Sequence, residues 1–209
     1  DLSQNNNPEQ TIQEYLLESA DTKRRAAGEC VGSIIAAADL LTETFRSGGK
    51  VLMCGNGGSA ADCQHMATEF VSRLSKDFQR PGMPAIALTT DTSFLTAFSN
   101  DYEFEGIFER QVLALGNPGD ALLGISTSGN SVNVVRAMEA AASASLRTVV
   151  LTGNGGSLAE MADVAIQVPS DDTQHIQESH LAIEHILCHL VERAVYSPNT
   201  EGSIKGSAQ

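Results

Sequence analysis

One stretch confines the fold of this chain more than any other. Val51-Leu52-Met53-Cys54 is a run of apolar residues without polar alternation; Gly55-Asn56-Gly57-Gly58-Ser59 follows at once, and a helical pattern then extends to Glu69. A short continuous apolar run that ends in small residues reads as a strand covered on both faces and handed directly to a helix. The unit recurs. Pro84-Ala85-Ile86-Ala87-Leu88 is a second apolar run, and Asp120 to Ile125 leads through Ser126-Thr127-Ser128-Gly129-Asn130-Ser131 into a helix over Val132 to Ala144. Thr148 to Thr152 leads into Gly153-Asn154-Gly155-Gly156-Ser157, which repeats the first turn, and then into a short helix; Val164 to Val168 closes the series at Pro169. This alternation predicts a doubly wound α/β fold, a five-stranded parallel sheet with helices on both faces. Ligands of such sheets gather outside the carboxyl ends of the strands, where Asn56 to Ser59, Asn100-Asp101 and Ser126 to Ser131 are expected to emerge.

The flanks are helical. Residues 1–10 read as a polar, flexible lead-in, followed by one amphipathic helix over Thr11 to Asp21 and a longer one over Lys23 to Phe45 that stops at Gly48-Gly49. Ser93 to Phe98 starts a helix that Asn100-Asp101 is expected to break, and Ile107 to Ala114 resumes helical spacing. A final helix spans Gln174 to Tyr196, and residues 197–209 read as a disordered tail. The chain is thus expected to form one domain over 11–196, with an apolar N-terminal helical pair that packs against a second copy in a homo-oligomer.

Charge and cysteine usage narrow the partners. Thirteen basic against 26 acidic residues give a formal charge of −13, which disfavours nucleic acid and requires an anionic substrate to be held by local donors. Lys23-Arg24-Arg25 reads as a solvated helix face. Cys30, Cys54, Cys63 and Cys188 lack CxxC spacing and read as reduced, buried thiols of a cytoplasmic protein. No apolar run is long enough for a membrane span.

Ser59 falls where a helix N-terminus offers free N–H groups to an anion, and the four-residue spacing of His65 and Glu69 puts both on one helix face, fit to share a metal or a proton. Ser126 to Ser131 packs four hydroxyls into six residues at a helix start, a phosphate cradle that needs no Lys or Arg. Neither turn matches a Walker loop or GxGxxG, so nucleotide binding is not indicated. The repeat at Gly153 to Ser157 reads as a structural turn. The last helix holds His175, His180, His185 and His189, four of the five histidines, and Gln177, His180, Glu184 and His185 form a polar stripe that must find partners. His65 and Glu69 with Gln177 and His185 compose a mixed N/O set suited to Zn2+ or a similar divalent ion.

Taken in order, Cys54 to Ser59 with His65 and Glu69, the Asn100-Asp101 pair, Gly124 to Ser131, and Ile176-Gln177-Glu178 with His180 and His185 resemble the bacterial phosphoheptose isomerases, of the sugar-isomerase (SIS) fold. The resemblance covers roughly residues 12–195. It implies a homotetramer that interconverts sedoheptulose 7-phosphate and D-glycero-D-manno-heptose 7-phosphate, the first step of ADP-heptose biosynthesis toward lipopolysaccharide core. It further implies one Zn2+ per subunit on His65, Glu69, Gln177 and His185, and acid–base work by Glu69 and His185. Substrate would be held by Asn56, Gly57, Gly58, Asn100, Asp101, Ser126, Thr127, Ser128 and Ser131, beside Ser59, Glu69 and Gln177. Gln174 and His175 depart from the pattern, since some members place Asp and Arg there. Two alternatives share the fold: a non-catalytic SIS protein that binds a sugar phosphate or a partner such as a replication initiator, and an isomerase of hexose or pentose phosphates. The non-catalytic relatives lack the carboxylate of the Glu69 position and the imidazole of the His185 position.

Overall fold

In the computed structural model, which describes residues 7–197, the strands are β1 (Val51–Gly55), β2 (Ala85–Ala87), β3 (Ala121–Ser126), β4 (Arg147–Thr152) and β5 (Val164–Gln167). They form one parallel sheet in the order β2-β1-β3-β4-β5. The helices among the described residues are α1 (Pro8–Glu29), α2 (Val31–Arg46), α3 (Gly58–Val71), α4 (Thr92–Asp101), α5 (Ile107–Leu115), α6 (Val132–Ser143), α7 (Ser157–Met161) and α8 (Thr173–Tyr196).

The unbroken apolar runs follow from the two-sided burial of the sheet. Val51 and Met53 face a core built with α2, α3 and α8, whereas Leu52 and Cys54, on the same strand, face a second core built with α5 and α6. Every residue of β1 and β3 is buried. Each such Val, Leu, Ile or Met contributes about 1.5–3 kcal/mol of transfer free energy, so a polar residue inside either strand is not tolerated cheaply. All four cysteines are buried free thiols, and no helix among the described residues is long and apolar enough to cross a membrane.

Several boundaries differ from the sequence expectation. Helix α1 begins at Pro8, because the Asn7 side chain accepts the Glu9 N–H (3.1 Å) and Pro occupies the first helical position; the polar stretch is a start signal for its last residues. Residues 1–6 and 198–209 lie outside the described residues, and with them the rest of the lead-in and the tail. The first helix does not end at Asp21. It continues through the basic cluster, where Arg24 and Arg25 pair with Asp21 one turn back, and yields to α2 only at Cys30. Asn100-Asp101 does not break α4 but forms its last turn. Strand β2 lies at the sheet edge, where Ile86 is 39% exposed rather than buried on both sides.

The strand order places the site. From β1 the chain adds β2 on one side and then crosses to β3 on the other, so the crevice outside the carboxyl ends of β1 and β3 is the switch point at which open α/β sheets bind ligands.

Candidate active site

Both turns expected to hold an anion open into that crevice. After β1, Gly57 adopts φ +58°, a left-handed conformation that glycine takes without strain, and α3 starts with no side chain capping its N–H groups. After β3, α6 also begins without a side-chain cap, whereas α4 and α8 are capped by Asp91 and Asp172. The Ser131 hydroxyl instead meets that of Ser126 at 2.9 Å, and the Ser128 hydroxyl accepts the Asn130 N–H at 3.2 Å. Thr127 is half-buried and Ser128 exposed in the same turn, while Ser59 is buried at the start of α3. A row of hydroxyls beside uncapped helix N–H groups is a phosphate-sized set of neutral donors.

The two turns are bound to each other by a residue that the sequence reading missed. Asn133, 2% exposed in the first turn of α6, donates its amide to Asn56 Oδ1 (2.9 Å) and accepts the Asn56 amide on its own Oδ1 (2.8 Å). Its one sequence signal is a polar residue on a helix face whose neighbours Val134, Ala137 and Met138 are apolar. The repeat turn at Gly153 to Ser157 braces this arrangement: Ser157 donates its N–H to Asn130 Oδ1 (3.0 Å) and Leu158 donates to the Gly129 carbonyl (3.1 Å). Beside Asn56 opens a cavity of about 330 Å³, lined by Gly57, Thr89, Leu95, Thr96, Ser99 and Phe104. Ser99 is the last α4 residue on that wall. Asn100 and Asp101 follow it, exposed, and the Asn100 amide donates to Asp101 Oδ1 (2.9 Å).

Helices α3 and α8 bring together His65, Glu69 and His185. His65 Nε2 lies 2.8 Å from His185 Nε2 and 3.6 Å from Glu69 Oε1, and one donor atom from each of the three residues falls within 4.8 Å of the others. The i, i+4 spacing on α3 supplies His65 and Glu69; only packing of α3 on α8 adds His185. Ligands held tetrahedrally at 2.0–2.2 Å from Zn2+ stand about 3.3–3.6 Å apart; the His65–Glu69 spacing matches this and the His65–His185 spacing falls about half an ångström short of it.

Gln177 is held one turn closer to the α3 N-terminus. Its Nε2 donates to Asp62 Oδ2 (3.3 Å), which leaves the amide oxygen as the atom free to act as a ligand. The side chain lies so near Gly58 that a Cβ there would come within 1.8 Å of Nε2. Burial pushes the Asp62 carboxyl up, opposed by the Gln177 hydrogen bond and the charge of His65. Beneath it Glu184 is 1% exposed with neither carboxylate oxygen paired among the described residues, and burial, with the nearby Asp62, pushes it up to about 9.

His180, His175 and Glu178 on α8 serve the scaffold, whereas His189 is exposed. The His180 Nε2–H donates to the Thr152 carbonyl (3.1 Å), and burial pulls its pKa down to about 4, so it belongs to the core rather than to the polar site stripe. His175 is buried with its ring 4.7 Å from that of Tyr15. Glu178 accepts hydrogen bonds from Ser19, Tyr15 (3.0 Å) and Lys23, which hold its carboxyl below the usual range and tie α1 to α8.

A family model described as SIS domain matches residues 14–169. The chain is 50% identical over 196 residues to the phosphoheptose isomerase of Roseiflexus sp. (strain RS-1), covering 91% of this chain and 98% of that relative. It is 52% identical over 176 residues to that of Burkholderia pseudomallei (strain K96243), covering 84% and 83%. Among solved structures, the phosphoheptose isomerase from Neisseria gonorrhoeae superposes with a TM-score of 0.82 at 42% identity, covering 88% of this chain and 97% of that one. The one from Francisella tularensis superposes with 0.84 at 39% identity and the same coverage.

Proposed function

The chain belongs to the SIS-domain family of phosphoheptose isomerases and is an isomerase, and from that premise we propose that it interconverts sedoheptulose 7-phosphate and D-glycero-D-manno-heptose 7-phosphate through an enediol. The observation that carries this reading is the convergence of Glu69 and His185, from different helices, on the same His65.

Aldose–ketose isomerisation moves a proton between C1 and C2, which needs one base for the carbon-bound proton and one group that shuttles a proton between the two oxygens. Glu69, held on α3 with its side chain only 17% exposed, takes the carbon proton and returns it to the neighbouring carbon. His185 gives a proton to the carbonyl oxygen and accepts one from the hydroxyl. Ser126, Thr127, Ser128 and Ser131, with the α6 N-terminus, hold the phosphate, while Asn56 to Ser59 orient the sugar against Glu69. Asn100 and Asp101, exposed in one subunit, reach substrate only if an adjoining subunit faces them.

His65, Glu69, Gln177 and His185 are the residues that would hold one Zn2+ per subunit. When bound, the ion would polarise the substrate carbonyl and hydroxyl as a Lewis acid and stabilise charge on the enediolate.

Assembly as a homotetramer is part of the same proposal. Its support is an apolar surface on α1, α2 and α8 that includes Leu16, Leu17, Val31, Ile35 and Ile186, between 45% and 69% exposed in the single chain. The proposed setting is cytoplasmic, at the first step of ADP-heptose biosynthesis toward lipopolysaccharide core. The non-catalytic alternative is disfavoured by the presence of both Glu69 and His185, and by their contact with the same His65.

The test is direct. Zn2+-loaded protein is incubated with sedoheptulose 7-phosphate in D2O; the product heptose phosphate is expected, with deuterium at the carbon that received the proton. Binding of the sugar phosphate with neither product nor exchange would hand the site to the non-catalytic reading.

A further inference from the structure

The helices that supply the two halves of the cluster are joined at their far ends by one side chain. Arg80 lies in the segment 72–84 between α3 and β2, and neither its side chain nor that of Glu192, on α8, has any exposure. Its Nη2 donates to the Glu69 carbonyl (2.7 Å), its Nη1 to the carbonyls of Phe70 (2.7 Å) and Pro81 (3.0 Å), and its Nε to Glu192 Oε2 (3.0 Å). The last carbonyls of a helix have no partner within it, and a cation there also complements the negative end of the helix dipole. The Met83 N–H adds a second bond to the Phe70 carbonyl (3.0 Å).

These contacts do more than close a helix. Glu69 sits one turn beyond His65 on α3, and Glu192 two turns beyond His185 on the same side of α8. A guanidinium is a planar fork whose donors keep fixed mutual angles, so one that grips the Glu69 backbone and the Glu192 carboxylate together holds both helices in one frame. We propose that Arg80, acting through Glu192, sets the register of His65 and Glu69 against His185 and is a positioning residue for the metal-holding and proton-handling cluster. The inference rests on the isomerase reading above and adds to it a residue that touches no reacting atom.

A buried ion pair that only stabilised the fold would behave differently, and the molecule contains a control. Lys50 pairs with Asp120 at 2.5 Å, with side chains 21% and 6% exposed, just before β1 and β3, and ties those two strands rather than α3 and α8. The experiment compares wild type, Arg80→Lys, Glu192→Gln and Lys50→Gln by denaturation midpoint, Zn2+ affinity in competition with a chromophoric chelator, and kcat and KM for sedoheptulose 7-phosphate. Lysine keeps the charge near Glu192 but cannot reach both helices as a fork. Arg80→Lys is expected to lose about tenfold or more in Zn2+ affinity and in kcat, with KM within about threefold, the size of effect typical of groups that orient metal ligands. Lys50→Gln is expected to keep wild-type metal affinity even where its midpoint falls as far. Wild-type metal affinity in Arg80→Lys, or an equal loss in Lys50→Gln at matched stability, overturns the inference. If Arg80→Lys does not fold, Glu192→Gln decides by the same criteria. Wild-type protein that neither binds Zn2+ nor turns over the sugar phosphate sinks the isomerase reading and this inference with it; failure confined to the variants sinks the inference alone.

Discussion

His65 and His185 are 120 residues apart in the chain, yet their Nε2 atoms stand 2.8 Å from each other, with Glu69 Oε1 3.6 Å from the first. At that distance the two imidazole nitrogens hydrogen-bond, and a separation wider by about half an ångström gives the spacing of two ligands on one tetrahedral cation. The pair therefore joins α3 and α8 at one point.

Glu69→Gln keeps the size and a hydrogen-bonding oxygen of the side chain but removes the carboxylate proposed as the base. Turnover of sedoheptulose 7-phosphate is expected to fall by at least about 100-fold, the scale of general-base catalysis, while the protein still binds the sugar phosphate. Steady-state kinetics paired with calorimetric titration checks this; a variant with near wild-type kcat would remove Glu69 from the carbon-proton role.

Exhaustive chelation is expected to abolish activity and added Zn2+ to restore it. Gly58→Ala tests the same centre without touching a donor, because the new Cβ would come within 1.8 Å of Gln177 Nε2 and must displace that side chain. A loss of about 10- to 100-fold in Zn2+ affinity is expected, read by chelator competition. Unchanged affinity would place Gln177 outside the ligand set.

Asn133→Ala breaks both hydrogen bonds to Asn56 and leaves that amide without its partner, at a cost of about 1–3 kcal/mol. The turn after β1 loosens, so KM for the sugar phosphate is expected to rise about tenfold with a smaller change in kcat. If kcat falls alone, Asn133 acts on chemistry rather than on the turn.

Burial depresses the pKa of His180 to about 4, so the folded protein holds it neutral while the unfolded chain protonates it at the ordinary value near 6.5. Its stabilising contribution is complete above that value and is lost as pH falls from 6.5 toward 4, amounting to roughly 3 kcal/mol across the window. His180→Gln retains a donor for the Thr152 carbonyl and removes the titration. Urea midpoints measured at pH 7 and pH 4.5 should fall less steeply on acidification in the variant; parallel loss would show that His180 does not contribute to acid sensitivity.

Local chemistry made much of this protein legible in its sequence. Strands such as Val51 to Gly55 are buried on both faces, so they must be apolar throughout, and Gly57 occupies a turn whose left-handed backbone favours glycine. The pairing of His65 with Glu69 follows from helical spacing alone. Boundaries were less legible where a competing cue dominated: Asn7 and Pro8 looked like loose chain but cap a helix, and Asn100-Asp101 looked like a breaker but closes one.

What the sequence could not decide is which polar groups of α8 face α3. His180 and His185 stand five residues apart on one helix, yet one is sealed against the Thr152 carbonyl while the other meets His65, because the helix is buried on several sides and each side demands a different partner. The amide pair of Asn56 and Asn133 and the grip of Arg80 on Glu69 and Glu192 are likewise contacts between distant segments. No periodicity encodes them, since periodicity specifies which side of an element is apolar and only packing specifies what that side meets. The opening strand, turn and His65–Glu69 face were determined by sequence; the closure of that half-site by His185 was decided by the tertiary structure.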